Sequence, residues 1–156
     1  MIRENISSNL DVLEFCHLRY SWIPGMDQVR PKFQTLAKKY DFMDSLFLEW
    51  FSLKDYLLYE IFGIEYSIFQ GKKLVLEIET ETKEKFPVLK RSMFPYNVDG
   101  YHYVLWFPCP ESKSVEIVQE TLEYLIPLNV QFVWYVNPKP SVDCFFHVQV
   151  FTDSIF

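Results

Sequence analysis

The chain has 156 residues and a net charge of −6, and hydrophobic residues make up 49% of it. This length fits one domain, and the hydrophobic fraction is ample for one buried core. The acidic balance excludes nucleic-acid binding that works by neutralising phosphates, because such binding requires clustered Lys and Arg side chains. We therefore expect a single domain over residues 1–156 and no nucleic-acid partner.

The cysteines and the absence of targeting patterns indicate the compartment. Cys16, Cys109 and Cys144 are an odd number without CxxC spacing, and no secretory signal opens the chain. No apolar run reaches the roughly 18 residues that a spanning helix needs. We expect a cytoplasmic, intracellular protein with free thiols that does not associate with membranes. The cysteines and histidines also lack paired ligand spacing, so neither a metal nor another cofactor is expected.

The first part of the chain has the pattern of helices. The sequence predicts helices over Asp11–Tyr20 and Pro31–Tyr40, followed by a longer helical stretch over Asp41–Gly63. A break near Ser52 divides this stretch, because Ser52 and Asp55 have the spacing of a capping box. We interpret its aromatic face as core packing rather than as a ligand groove. The apolar positions are Phe47, Trp50, Phe51, Leu57, Leu58, Ile61 and Phe62.

The second part changes to the period of β-strands. Its one predicted helix covers Glu111–Ile126 and is closed by Pro127. Short connections between strands favour a mainly antiparallel sheet, with the N-terminal helices on one of its faces. The fold class is therefore α+β, with a helical part over residues 1–70 and a sheet with one helix over residues 71–156. The predicted strands are Leu74–Ile78, Val88–Met93, Tyr101–Phe107, Val130–Val136 and Cys144–Phe151.

Polar side chains on the last predicted strand are the main candidates for chemistry. His147 and Gln149 are two residues apart, so they share one face of the sheet, whereas Val148 and Val150 face the other way with Phe146. A polar pair among apolar residues is typical of a site built on a strand. An edge strand with ordinary polar surface positions is the alternative, and the spacing leaves both open.

A cysteine nucleophile is not expected. Cys144 lies three residues before His147, and an odd separation on a strand places the two side chains on opposite faces. Cys109 lies between two prolines and has no evident base. Both are interpreted as structural thiols.

Several short motifs resemble a known family. They are Phe94-Pro95-Tyr96, His102-Tyr103-Val104-Leu105-Trp106, Trp134-Tyr135-Val136-Asn137, Ser141-Val142 and His147-Val148-Gln149. In this order they resemble an uncharacterised, largely fungal family often labelled N-acetylglucosamine-induced protein. More distantly, the C-terminal half resembles the histidine-triad and galactose-1-phosphate uridylyltransferase superfamily, and the resemblance implies a histidine-triad-like sheet there.

The superfamily resemblance implies phosphate binding, with a histidine that attacks the α-phosphorus of a nucleotide. His147 is then the expected catalytic nucleophile, and Gln149 and Asn137 are expected to hold the phosphate oxygens. Tyr96 and His102 would line the pocket. The expected ligand-binding residues are Tyr96, His102, Asn137, Ser141 and Gln149.

The chain also departs from the superfamily pattern. In the H-x-H-x-Q register Phe145 replaces the first histidine, and in the alternative H-x-H register Gln149 occupies the nucleophile position. No glycine lies between Asn137 and His147, and the two prolines there, Pro138 and Pro140, lack N–H donors.

These departures favour a non-catalytic binding or interaction domain on a histidine-triad-like sheet, with a protein partner or a homo-oligomer. The alternative is a nucleotide-binding hydrolase or transferase that acts on a phosphate ester or anhydride through His147. Its ligand would be a nucleotide or another small phosphorylated molecule.

Overall fold

A computed structural model describes residues 33–76, 82–95, 100–136 and 142–156, with the backbone alone for residues 33–36. The helix predicted over Asp11–Tyr20 lies outside these ranges. No helix within them is long and apolar enough to span a membrane. The elements are α1 (Phe33–Glu49), α2 (Leu53–Glu60), β1 (Ser67–Phe69), β2 (Lys72–Leu74), β3 (Val88–Arg91), β4 (Tyr101–Trp106), α3 (Val115–Leu125), β5 (Phe132–Tyr135) and β6 (His147–Thr152).

The main sheet has four strands in the order β3-β4-β6-β5, and every neighbouring pair is antiparallel. Strands β4 and β5 lie on either side of β6, and α3 connects them. A separate two-stranded antiparallel sheet is formed by β1 and β2. The α+β prediction with mainly antiparallel pairing is therefore confirmed, although the strands form two sheets.

Helix α3 covers one face of the main sheet. Ser114 caps it by accepting a hydrogen bond from the Ile117 N–H at 3.2 Å. Its buried side chains, Val118 and Leu122, belong to a hydrophobic core formed with inward side chains of the strands. The strand residues of this core are Tyr103, Leu105, Phe132, Trp134, Val148 and Val150.

The N-terminal part of the described chain forms a second core. The structure joins the predicted Pro31–Tyr40 helix to the following segment as one helix, α1. The predicted break at Ser52 is confirmed, because its hydroxyl accepts from the Asp55 N–H at 3.1 Å and caps α2. This core touches the main sheet through Val88 and Trp106. Its buried residues are Leu46, Trp50, Leu57, Leu58, Phe62, Val75 and Phe145.

A hairpin replaces the strand that was predicted over Leu74–Ile78. Gln70 and Gly71 have φ angles of 51° and 79°, the conformation of a tight hairpin turn. The turn pairs Ser67 with Leu74, so β2 ends at Leu74, and Ile78 lies outside the described residues. The strand prediction was wrong for Val75 and Leu76, which lie outside any strand because the pairing of β2 with β1 ends at Leu74.

Asp55 links α2 to this hairpin. Its Oδ2 accepts a hydrogen bond from the Ser52 hydroxyl at 2.5 Å, and its Oδ1 accepts from the Val75 N–H at 2.9 Å. Both Asp55 and Val75 are buried. A carboxylate in this position is tolerated because donors from two segments satisfy both of its oxygens.

We predict that Asp55→Ala lowers the free energy of unfolding by about 1–3 kcal/mol, because it leaves the Val75 N–H buried without this acceptor. Urea denaturation would measure the loss. Asp44, an exposed carboxylate on α1, provides the matched control, and Asp44→Ala should cost less than about 0.5 kcal/mol. Equal losses in the two variants would contradict the role given to Asp55.

Candidate functional site

The pairing of β4 with β6 gathers the polar side chains on one face of the main sheet. The register places His102 opposite Phe151, Val104 opposite Gln149 and Trp106 opposite His147. Directly opposed residues of antiparallel strands share a face, so the two histidines and Gln149 lie on the same side. We refer to this side as the histidine face. It is the face opposite to the one that α3 covers.

Strand β6 is an interior strand, hydrogen-bonded to β4 on one side and to β5 on the other. The alternative interpretation of the last strand, an edge strand with ordinary polar surface positions, is therefore wrong. Gln149 is only 8% exposed, whereas such a surface position would be open to solvent. The pairing on both sides places side chains of β4 and β5 next to it.

His102 and Gln149 form a buried hydrogen-bonded pair. The His102 Nε2–H donates to Gln149 Oε1 at 2.5 Å, and the His102 ring is only 3% exposed. The ring also stacks on Phe151, with centroids 4.7 Å apart and planes 24° apart. Tyr135 lies opposite Gln149 on β5 and is buried as well. The bond makes burial of these two atoms tolerable, because the His102 N–H and the Gln149 carbonyl oxygen satisfy each other.

Burial keeps His102 uncharged. Loss of hydration disfavours the imidazolium and lowers the His102 pKa to about 4, although the hydrogen bond with Gln149 acts in the opposite direction. At neutral pH the ring is therefore a neutral donor. It cannot attract a phosphate as a cation.

His147 occupies the other end of the histidine face. Its ring stacks on Trp106 with centroids 4.7 Å apart, and both side chains are half-buried. The Nδ1–H donates to the Phe145 carbonyl at 3.0 Å. This bond selects the tautomer in which Nε2 carries a lone pair. Burial lowers the His147 pKa below its usual range, so the neutral ring is favoured.

The two histidines do not meet. His102 and His147 are offset by four positions along the β4–β6 pair, which corresponds to about 13 Å along the strands. Gln149 lies between them and is bonded to His102. The face therefore holds two separate polar positions rather than one triad of side chains.

Tyr96, Asn137 and Ser141 lie outside the described residues. Cys144 is half-buried beside the second core, and burial raises the pKa of its thiol, which favours the unreactive form. Within the described ranges, no group of three or more His, Cys, Asp or Glu side chains could hold a metal ion.

Two contributors to the site were not singled out from the sequence. Trp106 lies four residues after His102 on β4, so strand alternation alone predicts that the two side chains share a face. The Phe145 carbonyl that orients His147 is a main-chain group, and no residue type indicates such a role.

We predict that His102 makes the stability of the protein depend on pH. In the unfolded chain this side chain titrates near 6.5, and in the folded protein its pKa is about 4. Below pH 6.5 the unfolded state therefore takes up a proton that the folded state does not. The free energy of unfolding is therefore unaffected by the titration of His102 above pH 6.5, and it falls as the pH is lowered from 6.5 to about 4.

This loss should amount to roughly 3 kcal/mol for His102 alone. The substitution His102→Gln removes the titrating group and retains an amide that can bond to Gln149. Between neutral pH and pH 4, the wild-type free energy of unfolding should fall by about that much more than the variant's. Denaturant titrations over this pH range would measure both, and parallel curves would contradict the prediction.

Comparison of the chain with protein-family models, with curated proteins and with solved structures gives no match. The function has to be inferred from the histidine face and the surfaces around it.

Proposed function

We propose that this chain is a non-catalytic binding or interaction domain built on a histidine-triad-like sheet, with a protein as its partner. The observation that carries the proposal is the buried hydrogen bond between His102 and Gln149. Two of the side chains expected to contact a ligand satisfy each other inside the fold. Their role is then to specify the pairing of β4 with β6.

The charges on the histidine face also favour a non-catalytic role. Lys90 on β3 lies opposite Val104 in the register, so its side chain projects from the histidine face. Its ammonium group donates to the Glu60 carbonyl at 2.5 Å and lies 3.6 Å from Glu60 Oε1. This cation binds α2 and is not directed at a phosphate. Both histidines are held neutral by burial, so neither adds positive charge.

Apolar side chains are exposed elsewhere on the described surface. Leu48 near the end of α1 is 78% exposed, and Ile68 and Phe69 on β1 are also exposed. Phe69 also lies beside the exposed Phe51, with ring centroids 5.9 Å apart, and adjoining exposed apolar groups are typical of protein interaction surfaces. A protein partner fits this surface better than a small phosphorylated ligand fits the histidine face.

We predict that replacing both members of the pair costs less stability than the single changes suggest. His102→Phe or Gln149→Leu alone leaves one buried polar group without its partner and should cost about 1–3 kcal/mol. The double variant removes both groups, so its loss should fall below the sum of the single losses. Denaturant unfolding measures all three. Strictly additive losses would contradict the structural role of the pair.

The same double variant tests the function. Under the proposal, calorimetric titration with nucleoside mono- and diphosphates detects no saturable binding with a sub-millimolar dissociation constant, either to the wild type or to the double variant. Sub-millimolar binding to the wild type that the double variant abolishes would show that the pair serves a ligand, and the proposal would be wrong.

One observation favours a second candidate, a nucleotide hydrolase or transferase that acts through His147. The hydrogen bond from Nδ1 to the Phe145 carbonyl leaves Nε2 as the basic atom, and the lowered pKa favours a neutral ring. A histidine nucleophile needs this state. Gln149 would retain its amide N–H donors for phosphate oxygens, since His102 engages its carbonyl oxygen. This arrangement favours the H-x-H-x-Q register over the one that places Gln149 as nucleophile.

In that candidate, Nε2 attacks the α-phosphorus of a nucleotide conjugate. An N–P bond forms and the P–O bond to the leaving group breaks, after which water or an acceptor alcohol cleaves the N–P bond. Single-turnover incubation with nucleotide conjugates, followed by intact-mass measurement, would detect a nucleotidyl adduct. We expect no adduct under the non-catalytic proposal. An adduct that His147→Ala abolishes and His102→Gln retains would establish the second candidate.

A further inference from the structure

Three aromatic rings from separate segments meet beside the β1–β2 hairpin. Trp50 follows α1, Tyr59 lies on α2, and Tyr66 immediately precedes β1. The ring centroids are 5.5 Å apart for Trp50 and Tyr59, 5.3 Å for Trp50 and Tyr66, and 5.1 Å for Tyr59 and Tyr66. The Trp50 ring is buried, whereas Tyr59 and Tyr66 are exposed at 42% and 38%. The rings form one aromatic group that reaches the surface.

The hairpin places an ammonium group on these rings. The Phe51 N–H donates to the Lys73 carbonyl at 3.0 Å, and this contact brings β2 beside Trp50. Lys73 Nζ then lies 5.2 Å from the centroid of the Trp50 ring and 5.0 Å from that of Tyr66. Both distances are within the range of a cation–π interaction.

A carboxylate completes the surroundings of this ammonium group. Glu49 Oε2 lies 3.9 Å from Lys73 Nζ, and the Glu49 side chain is largely exposed. We refer to Trp50, Tyr59, Tyr66 and Glu49 as the cation surface. Two ring faces and one negative charge thus converge on a single position, and a positively charged group occupies it.

We propose that the cation surface is a binding site for an alkylated ammonium group, such as that of choline or a methylated amine, and that Lys73 is its internal competitor. A primary ammonium is a compact and strongly hydrated charge. An alkylated ammonium carries the same charge and adds apolar contact with the rings, which is why aromatic surfaces recognise such groups. Glu49 supplies the complementary charge, and the net charge of −6 favours the approach of a cation.

Release of Lys73 requires little change in the fold. Its contacts at the surface are one long ion pair and two ring contacts, and its side chain is 31% exposed. The lysine stem can rotate away while the β2 backbone remains paired with β1 and bonded to Phe51. The rings stay in place because Trp50 belongs to the second core.

A second cation on aromatic rings provides a matched control. The Arg91 guanidinium carbon lies 5.4 Å from the Tyr101 ring centroid and 5.9 Å from that of Tyr103. Tyr103 is buried, and its ring is already covered by Phe156, whose centroid lies 4.7 Å away. Removing Arg91 should therefore expose no comparable site.

The experiment titrates the full chain with choline and follows the Trp50 indole N–H signal by NMR. The uncharged isostere of choline, in which carbon replaces nitrogen, serves as the ligand control. We expect a saturable shift with choline alone, with affinity in the millimolar range. Lys73→Gln should bind choline about two- to fivefold more tightly than the wild type, because it removes the competing cation. Tyr66→Leu should lose most of the shift, and Arg91→Gln should behave like the wild type.

Thermal unfolding of each variant would establish that it is folded before titration. The proposal is overturned if folded Lys73→Gln gives no saturable shift, or if the uncharged isostere binds as tightly as choline. It is equally overturned if Lys73→Gln binds choline no more tightly than the wild type, because Lys73 would then not compete for the surface.

Discussion

The antiparallel pairing of β4 with β6 is the constraint on which the rest of the structure depends. Together with the pairing of β5, it makes β6 an interior strand, and it aligns His102 with Phe151 and His147 with Trp106. A register shift by one residue would place Gln149 in the core under α3 and move Val148 and Val150 to the histidine face. The hydrogen bond between His102 and Gln149 forms only in the observed register. It therefore makes alternative pairings costly, because both polar groups would lose their partner.

The two cores lie against opposite faces of this sheet. The core under α3 fills one face, and the N-terminal core touches the other face at Val88 and Trp106. Trp106 thus packs against the N-terminal core while its ring also stacks on His147. Asp55 holds the hairpin to α2 within the same core, so the cation surface and the histidine face depend on one set of packing contacts.

Burial lowers the pKa of both histidines, but their different hydrogen-bond partners give the two rings different chemistry. His102 donates to the buried side chain of Gln149, so its Nε2–H stabilises the fold and is not available to a ligand. His147 donates to a main-chain carbonyl and retains a basic nitrogen. The first arrangement supports an interaction domain, and the second supports a nucleotidyl-transfer site. The cation surface shares no residue with the histidine face, because Glu49 ends α1, Trp50 follows it, Tyr59 lies on α2 and Tyr66 precedes β1.

The sequence by itself determined the features that depend on neighbouring residues. Strand alternation predicted that His147 and Gln149 share a face, because side-chain direction has a period of two. Ser52 and Asp55 predicted the start of α2, because capping is decided within one helical turn. The helix before β5 was predicted from its apolar period. Only the tertiary structure decided contacts between distant segments: the interior position of β6, the bond from His102 to Gln149, and the orientation of His147 by Phe145. The same holds for Lys73 on Trp50 and Tyr66, since three segments must first pack together before their side chains meet.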